Sequence, residues 1–150
     1  MASVGSTTSE RLEGNRMDDL TEEKAAYLFA RAWNRLNPEG FLALLAPEAR
    51  YASQWVFEEL VGAPAIAAYL RGKMATVRDR AREDPGAAVR VEMGRTAEGR
   101  RGRPCAFMTQ GQLEEVQAAV VFEVEGGRIV RYDLCIPQLL GAVRTGVFPL

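Results

Sequence analysis

Val116-Gln117-Ala118-Ala119-Val120-Val121-Phe122-Glu123-Val124-Glu125-Gly126-Gly127-Arg128-Ile129-Val130-Arg131-Tyr132-Asp133-Leu134-Cys135-Ile136 is the stretch whose reading decides the fold. Val116, Ala118, Val120, Phe122 and Val124 alternate with Gln117, Glu123 and Glu125, the period of a strand with one apolar face. Glu125-Gly126-Gly127 then turns the chain, since paired glycines tolerate the positive φ of a tight turn, and Arg128 to Ile136 alternates again. The two runs form an antiparallel hairpin. Val130, Tyr132, Leu134 and Ile136 share one face of the last strand, and Arg131, Asp133 and Cys135 share the other. Along the chain, Asp133 is the acid set deepest in apolar sequence.

Upstream, Pro104 to Gln110 reads as a strand, and Val89, Val91 and Met93 mark another, joined by the Gly-rich region around Arg100. Before these four strands the period is helical. Thr21 can cap a helix that opens with Glu22 and Glu23, and Ala25, Leu28, Phe29, Ala32, Trp33 and Leu36 form one apolar stripe up to Asn37-Pro38. A short second helix runs from Pro38 through Leu45, closed by Pro47. From Arg50 the period becomes two, with Tyr51, Ser53, Trp55 and Phe57 on one face, and two short strands end at Val61-Gly62. Pro64 starts a third helix that buries Ile66, Leu70, Met74, Val77 and Ala81 and ends at Asp84-Pro85-Gly86. Helices first and strands last imply an α+β fold. A curved antiparallel sheet is expected to wrap over the N-terminal helices and leave a cavity at its open end. Residues 1–16, poor in apolar side chains, read as a flexible tail, with Met17 an alternative start. Residues 17–137 form the domain. Residues 138–150 form a C-terminal tail that either covers the pocket mouth or reaches a second subunit through Leu139, Leu140, Val147 and Phe148.

Composition bounds the function. The 150 residues, 47% hydrophobic and 26% charged, suit one globular domain. No run approaches a membrane span, and the N-terminus lacks the apolar core of a signal peptide. Cys105 and Cys135, both within predicted strands, read as reduced thiols of a cytoplasmic protein. A net charge of −1 argues against a general grip on nucleic acid. Two local clusters are basic: Arg100, Arg101 and Arg103 read as a hairpin tip, and Arg78, Arg80 and Arg82 as a solvated helix end. The sequence contains no histidine, which removes Ser-His and Cys-His nucleophiles and most zinc sites. No metal or cofactor is expected, and acid–base chemistry falls to carboxylates, Tyr, Lys or Cys.

This order of elements resembles the nuclear transport factor 2-like superfamily, specifically its SnoaL-like small bacterial members. The resemblance rests on Trp33 late in the first helix, Phe41-Leu42-Ala43-Leu44-Leu45-Ala46-Pro47-Glu48-Ala49, Leu60-Val61-Gly62-Ala63-Pro64-Ala65-Ile66 and Gly126-Gly127-Arg128-Ile129. It implies a cone with a pocket between helices and sheet, and a homodimer through the sheet's outer face. The superfamily includes ketosteroid isomerases, polyketide cyclases, limonene epoxide hydrolases and scytalone dehydratases, so fold alone selects no reaction. The chain departs from several of these patterns. The Arg50 to Phe57 strands carry no Asp to match the isomerases' base, the dehydratases' histidine is missing, and only Arg131 and Asp133 echo the hydrolases' Asp-Arg-Asp set.

Asp133 is the candidate acid or base, because an apolar pocket raises a carboxyl pKa into the useful range. The other reading of Asp133 is an ion pair with Arg131 at a sheet surface. Tyr27 is the candidate polarising group by likeness to the isomerases' tyrosine. Trp33, Tyr51, Ser53, Trp55, Phe57, Met108, Gln110 and Gln117 are candidate pocket residues, largely apolar with a few polar anchors. For the aromatics plain core is the competing reading, and for Gln117 it is solvent or a dimer interface. The functional expectation is a dimeric domain that binds a small, largely apolar molecule, either as a cofactor-independent isomerase, cyclase or hydrolase or as a non-catalytic interaction module.

Overall fold

A computed structural model of the chain describes residues 20–97, 102–111 and 116–150, without the side chains of Val56, Phe57 and Val116. The expected tail over residues 1–16, the start at Met17 and the arginines at 100 and 101 lie outside the described residues.

Helix α1 (Glu22–Arg35) begins where the Thr21 hydroxyl accepts the Lys24 N–H at 3.0 Å, with Glu22 and Glu23 at the positive end of the dipole. It ends at Leu36, whose left-handed φ of 52° lets the Leu36 and Asn37 N–H groups close on the Trp33 and Ala32 carbonyls. A single turn, α2 (Glu39–Leu42), follows. Strand β1 (Leu45–Ser53) starts two residues before Pro47. This corrects the expected helix through Leu45. Pro47 falls where the register between β1 and its neighbour slips, between Leu45 and Arg50, and such an irregularity is where a residue without an N–H is tolerated in a sheet. After β2 (Val56–Val61), helix α3 (Ala63–Glu83) ends in a short 3₁₀ turn (Pro85–Ala87), where the Asp84 carboxylate accepts the Gly86 N–H at 2.9 Å. Then come β3 (Val89–Arg95), β4 (Pro104–Gln110), β5 (Val116–Glu125) and β6 (Arg128–Cys135), the turn α4 (Pro137–Leu140) and β7 (Val143–Arg144).

The strands form one sheet in the order β2-β1-β6-β5-β4-β3-β7. Every pair is antiparallel except β1 with β6. The decisive hairpin is β5–β6, where Glu125 faces Arg128 across Gly126 and Gly127 at φ of 59° and 75°. Helix α1 packs on β3, β4 and β5, and α3 packs on β1 and β2, so the curved sheet wraps over both helices. Between these layers Phe29, Phe41, Phe122 and Tyr132 meet ring to ring at 5.1–6.0 Å, and Ile66, Leu70 and Met74 are buried beside them. Among the described residues no helix is long and apolar enough to cross a membrane.

The C-terminal segment lies on its own sheet. Leu140 and Ala142 cover Cys105, Ala119, Val121 and Cys135 on the face away from the helices. Strand β7 adds to the β3 edge, where Gly94 leaves room that a Cβ would lose, 2.8 Å from the Val143 carbonyl. Glu92, 2% exposed, pairs there with Arg144 and accepts the Gly146 N–H at 3.0 Å. The chain end is held by Asn34, whose amide donates to the Val91 and Pro149 carbonyls at 2.7 Å each and accepts the Val91 N–H.

Candidate functional site: the cavity between helices and sheet

A cavity of about 410 Å³ opens between α1, α3 and the concave sheet face. That volume is within the range of small-molecule sites. Its apolar wall includes Phe29, Leu70, Val77, Met108, Ala118 and Leu134. These positions converge because period two on the strands and period 3.6 on the helices turn the same stripes inward.

Of the expected pocket residues, Trp33, Tyr51, Ser53, Trp55, Met108 and Gln110 line the cavity. Trp55, 62% exposed, stands at the rim. The Gln110 amide donates to the Ala87 carbonyl at 3.1 Å, so the glutamine is anchored to the 3₁₀ turn. The Phe57 side chain lies outside the described residues. Gln117 does not line the cavity. It shares its strand face with Ala119 and Val121, which pack on the outer side of the sheet.

Asp133 and Tyr27 also lie elsewhere. The Asp133 carboxylate accepts from Arg131 Nη2 at 2.8 Å and from Nε at 3.0 Å on the outer face, which is the alternative reading of this residue. Arg131 also reaches Glu59 at 3.1 Å, and Glu59 accepts from Arg50 at 2.7 Å. The hydrogen bonds from Arg50 and Arg131 hold the Glu59 carboxyl below the usual carboxylate range, and the Asp133 and Glu59 carboxylates push the Arg131 guanidinium upward. Asp133 borders a small outer recess with Gln54, Arg103 and Leu140. Tyr27, 41% exposed, lines a separate groove between the start of α1 and the β3 edge.

Three tyrosines line the cavity instead. Tyr51 stacks on Tyr132 with ring centroids 4.5 Å apart and meets Tyr69 in a tilted contact at 5.6 Å. Burial raises the Tyr51 and Tyr132 hydroxyls well above their ordinary range, and the Tyr51 hydroxyl also hydrogen-bonds with Tyr69 and Ser53. The Tyr132 hydroxyl and the Trp33 indole N–H are buried and, among the described residues, have no hydrogen-bond partner. Each such orphan costs roughly 1–3 kcal/mol relative to a satisfied group. Lys73 and Arg80 bring positive charge to the lining, which among the described residues contains no Asp or Glu. Sequence reasoning placed Tyr132 on the strand face of Val130, Leu134 and Ile136 without assigning that face to the pocket or making Tyr132 a site residue, and missed Tyr69 and Lys73. Their signal is the stripe Tyr69, Lys73, Thr76, Arg80, which runs at helical spacing beside the buried one. Cys105 is no nucleophile candidate, since burial pushes its thiol up to about 11.

The sequence matches the SnoaL-like domain over residues 26–132. The chain belongs to the SnoaL-like family. Solved structures share the fold. A SnoaL-like protein of unknown function from Burkholderia thailandensis is 14% identical, with 81% of this chain and 91% of that chain covered and a TM-score of 0.52. A putative polyketide cyclase from Sinorhizobium meliloti is 17% identical, with 79% and 97% covered and a TM-score of 0.53. An NTF2-like protein of unknown function from Cytophaga hutchinsonii is 11% identical, with 82% and 96% covered and a TM-score of 0.51. At these identities the likeness establishes fold and no activity. No curated protein gives a match. The SnoaL-like α+β fold expected from the sequence is thus the observed one.

Proposed function

We propose that this SnoaL-like domain binds a small, largely apolar molecule in the cavity and holds a hydrogen-bond acceptor of that molecule with Tyr132 and Trp33. The observation that carries the reading is the pair of buried, unpartnered donors on residues that line the same apolar space. Buried donors are nearly always satisfied, so two orphans beside one cavity favour an acceptor supplied by a ligand. The Tyr51 hydroxyl is engaged with Tyr69 and Ser53, so the two free donors are those of Tyr132 and Trp33, and flat aromatic walls favour a flat ring system.

Proton transfer by Asp133 gains no support from its position, because that carboxylate is spent on Arg131 outside the cavity. Within the cavity the groups able to polarise a carbonyl are hydroxyls, the Trp33 indole and the Lys73 and Arg80 cations, and among the described residues no carboxylate lines it. Binding with polarisation is therefore the reading the geometry favours over carboxylate acid–base catalysis. Assembly as a homodimer belongs to the proposal too. Leu139 and Val143, exposed beside the outer face, are apolar surface that a second copy would cover.

The test uses N-phenyl-1-naphthylamine, an uncharged dye that brightens in apolar surroundings. Wild-type protein is expected to give a saturable rise in emission, and Met108→Trp, which fills the cavity, to weaken it at least ~10-fold with an unchanged circular dichroism spectrum. Dye binding that ignores the filled cavity would overturn the proposal.

A further inference from the structure

We propose that the cavity selects anions, specifically an apolar molecule carrying a carboxylate or similar single negative group, held at the rim by Lys73 and Arg80. The inference rests on the cavity being the binding site and adds the charge class of the ligand.

Helix α3 shows two parallel stripes. Ile66, Leu70 and Met74 are buried, and the adjacent Tyr69, Lys73, Thr76 and Arg80 border the cavity. Lys73 and Arg80, seven residues apart, stand two helical turns or about 10 Å apart along the rim. Among the described residues six other cations are spent on carboxylates. Arg50, Arg71, Arg82, Arg103, Arg131 and Arg144 each pair with a carboxylate. Among the described residues Lys73 has only the face of Tyr69, 6.0 Å to the ring centroid, and Arg80 makes no ion pair. The acids nearest Arg80 in sequence make no ion pair with it among the described residues: Asp79 pairs with Arg82, Asp84 caps the 3₁₀ turn, and Glu83 makes none. Arg80 stands in the last turn of α3, where a cation also suits the carbonyl end of the helix. Lys73 is mid-helix and has no such reason.

Same-sign charge in a cleft with apolar walls focuses its field on whatever enters, so an anionic head is favoured over a neutral one. On the same stripe the Thr76 hydroxyl donates to the Gly72 carbonyl, and Lys73 and Arg80 are the charged donors of that wall. An acid head at the rim leaves the apolar body directed at Tyr51 and Tyr132.

The experiment compares two dyes with the same ring system, 8-anilinonaphthalene-1-sulfonate, which is anionic, and N-phenyl-1-naphthylamine, which is not. Each is titrated into wild-type protein and into Lys73→Gln/Arg80→Gln. The double substitution is expected to weaken the sulfonate dye ~10-fold or more and to change the uncharged dye less than about twofold. Raising the salt from 0.05 to 0.5 M is expected to weaken only the sulfonate dye. Equal response of both dyes, or a sulfonate dye indifferent to the double substitution, would overturn the anion selection while leaving the cavity reading intact. Failure of both dyes to bind wild-type protein would instead overturn the cavity reading beneath it.

Discussion

The two faces of β6 treat their polar groups in opposite ways. On the outer face, Arg131 is held by Asp133 and Glu59, and Glu59 by Arg50. On the inner face, one residue away, the Tyr132 hydroxyl has no partner among the described residues, and neither does the Trp33 indole opposite. The outer set is a closed network of half-buried charges, and such a network is complete without a ligand. The inner set is open. An arrangement that stabilises only itself spends its donors internally, whereas a recognition site leaves them uncompensated until something binds, and this difference is what supports the proposed binding on the inner face.

The largest effect expected from this contrast is on folding. Tyr132→Ala removes a fully buried ring that contacts Phe29, Phe41, Phe122 and Tyr51 and should destabilise by roughly 3–5 kcal/mol in urea denaturation. Asp133→Asn, its neighbour on the outer face, should stay within about 1 kcal/mol and leave dye binding unchanged. Loss of dye binding in Asp133→Asn with the fold intact would reverse the assignment of the two faces.

Tyr132→Phe sharpens the contrast further. Removing an unpartnered hydroxyl should leave stability equal or raise it by up to about 1 kcal/mol, yet weaken a ligand that carries a carbonyl acceptor by ~10-fold. Isothermal calorimetry with 2-acetylnaphthalene, set beside thermal melts, measures both. The smallest effect is the pH response of the outer network. Because the folded Glu59 pKa lies below its unfolded value, its stabilisation is fully present above about 4.5, the ordinary glutamate value, and is lost as pH falls through the folded pKa. Melting temperature should therefore decline below that pH, and Glu59→Gln should flatten the decline.

Much of this molecule was legible in its sequence. The Gly126-Gly127 hairpin, the Thr21 cap and the inward face of β5 follow from local rules that the packed structure leaves unchanged. Six of the cavity residues followed from the same periodicities. Pro47 did not, because a proline marks a helix end locally and a strand irregularity only when the neighbouring strand is known. Asp133 is the more instructive case. Apolar surroundings along the chain were read as burial, but neighbours in a strand point to opposite faces, so only one of Tyr132 and Asp133 could face the cavity, and the alternation alone did not say which. Lys73 and Arg80 were hidden because charged residues beside a buried stripe look solvated until the sheet curves over them.

The measurement that tests the central claim most directly is a ¹⁵N NMR titration with 2-acetylnaphthalene that follows the two tryptophan indole N–H signals, assigned through Trp55→Phe, together with the backbone amides of Arg131 and Asp133. The inner-face account predicts that the Trp33 indole signal moves downfield and saturates while the Asp133 amide responds less. A stationary Trp33 signal alongside saturable shifts centred on Arg131 and Asp133 would contradict it.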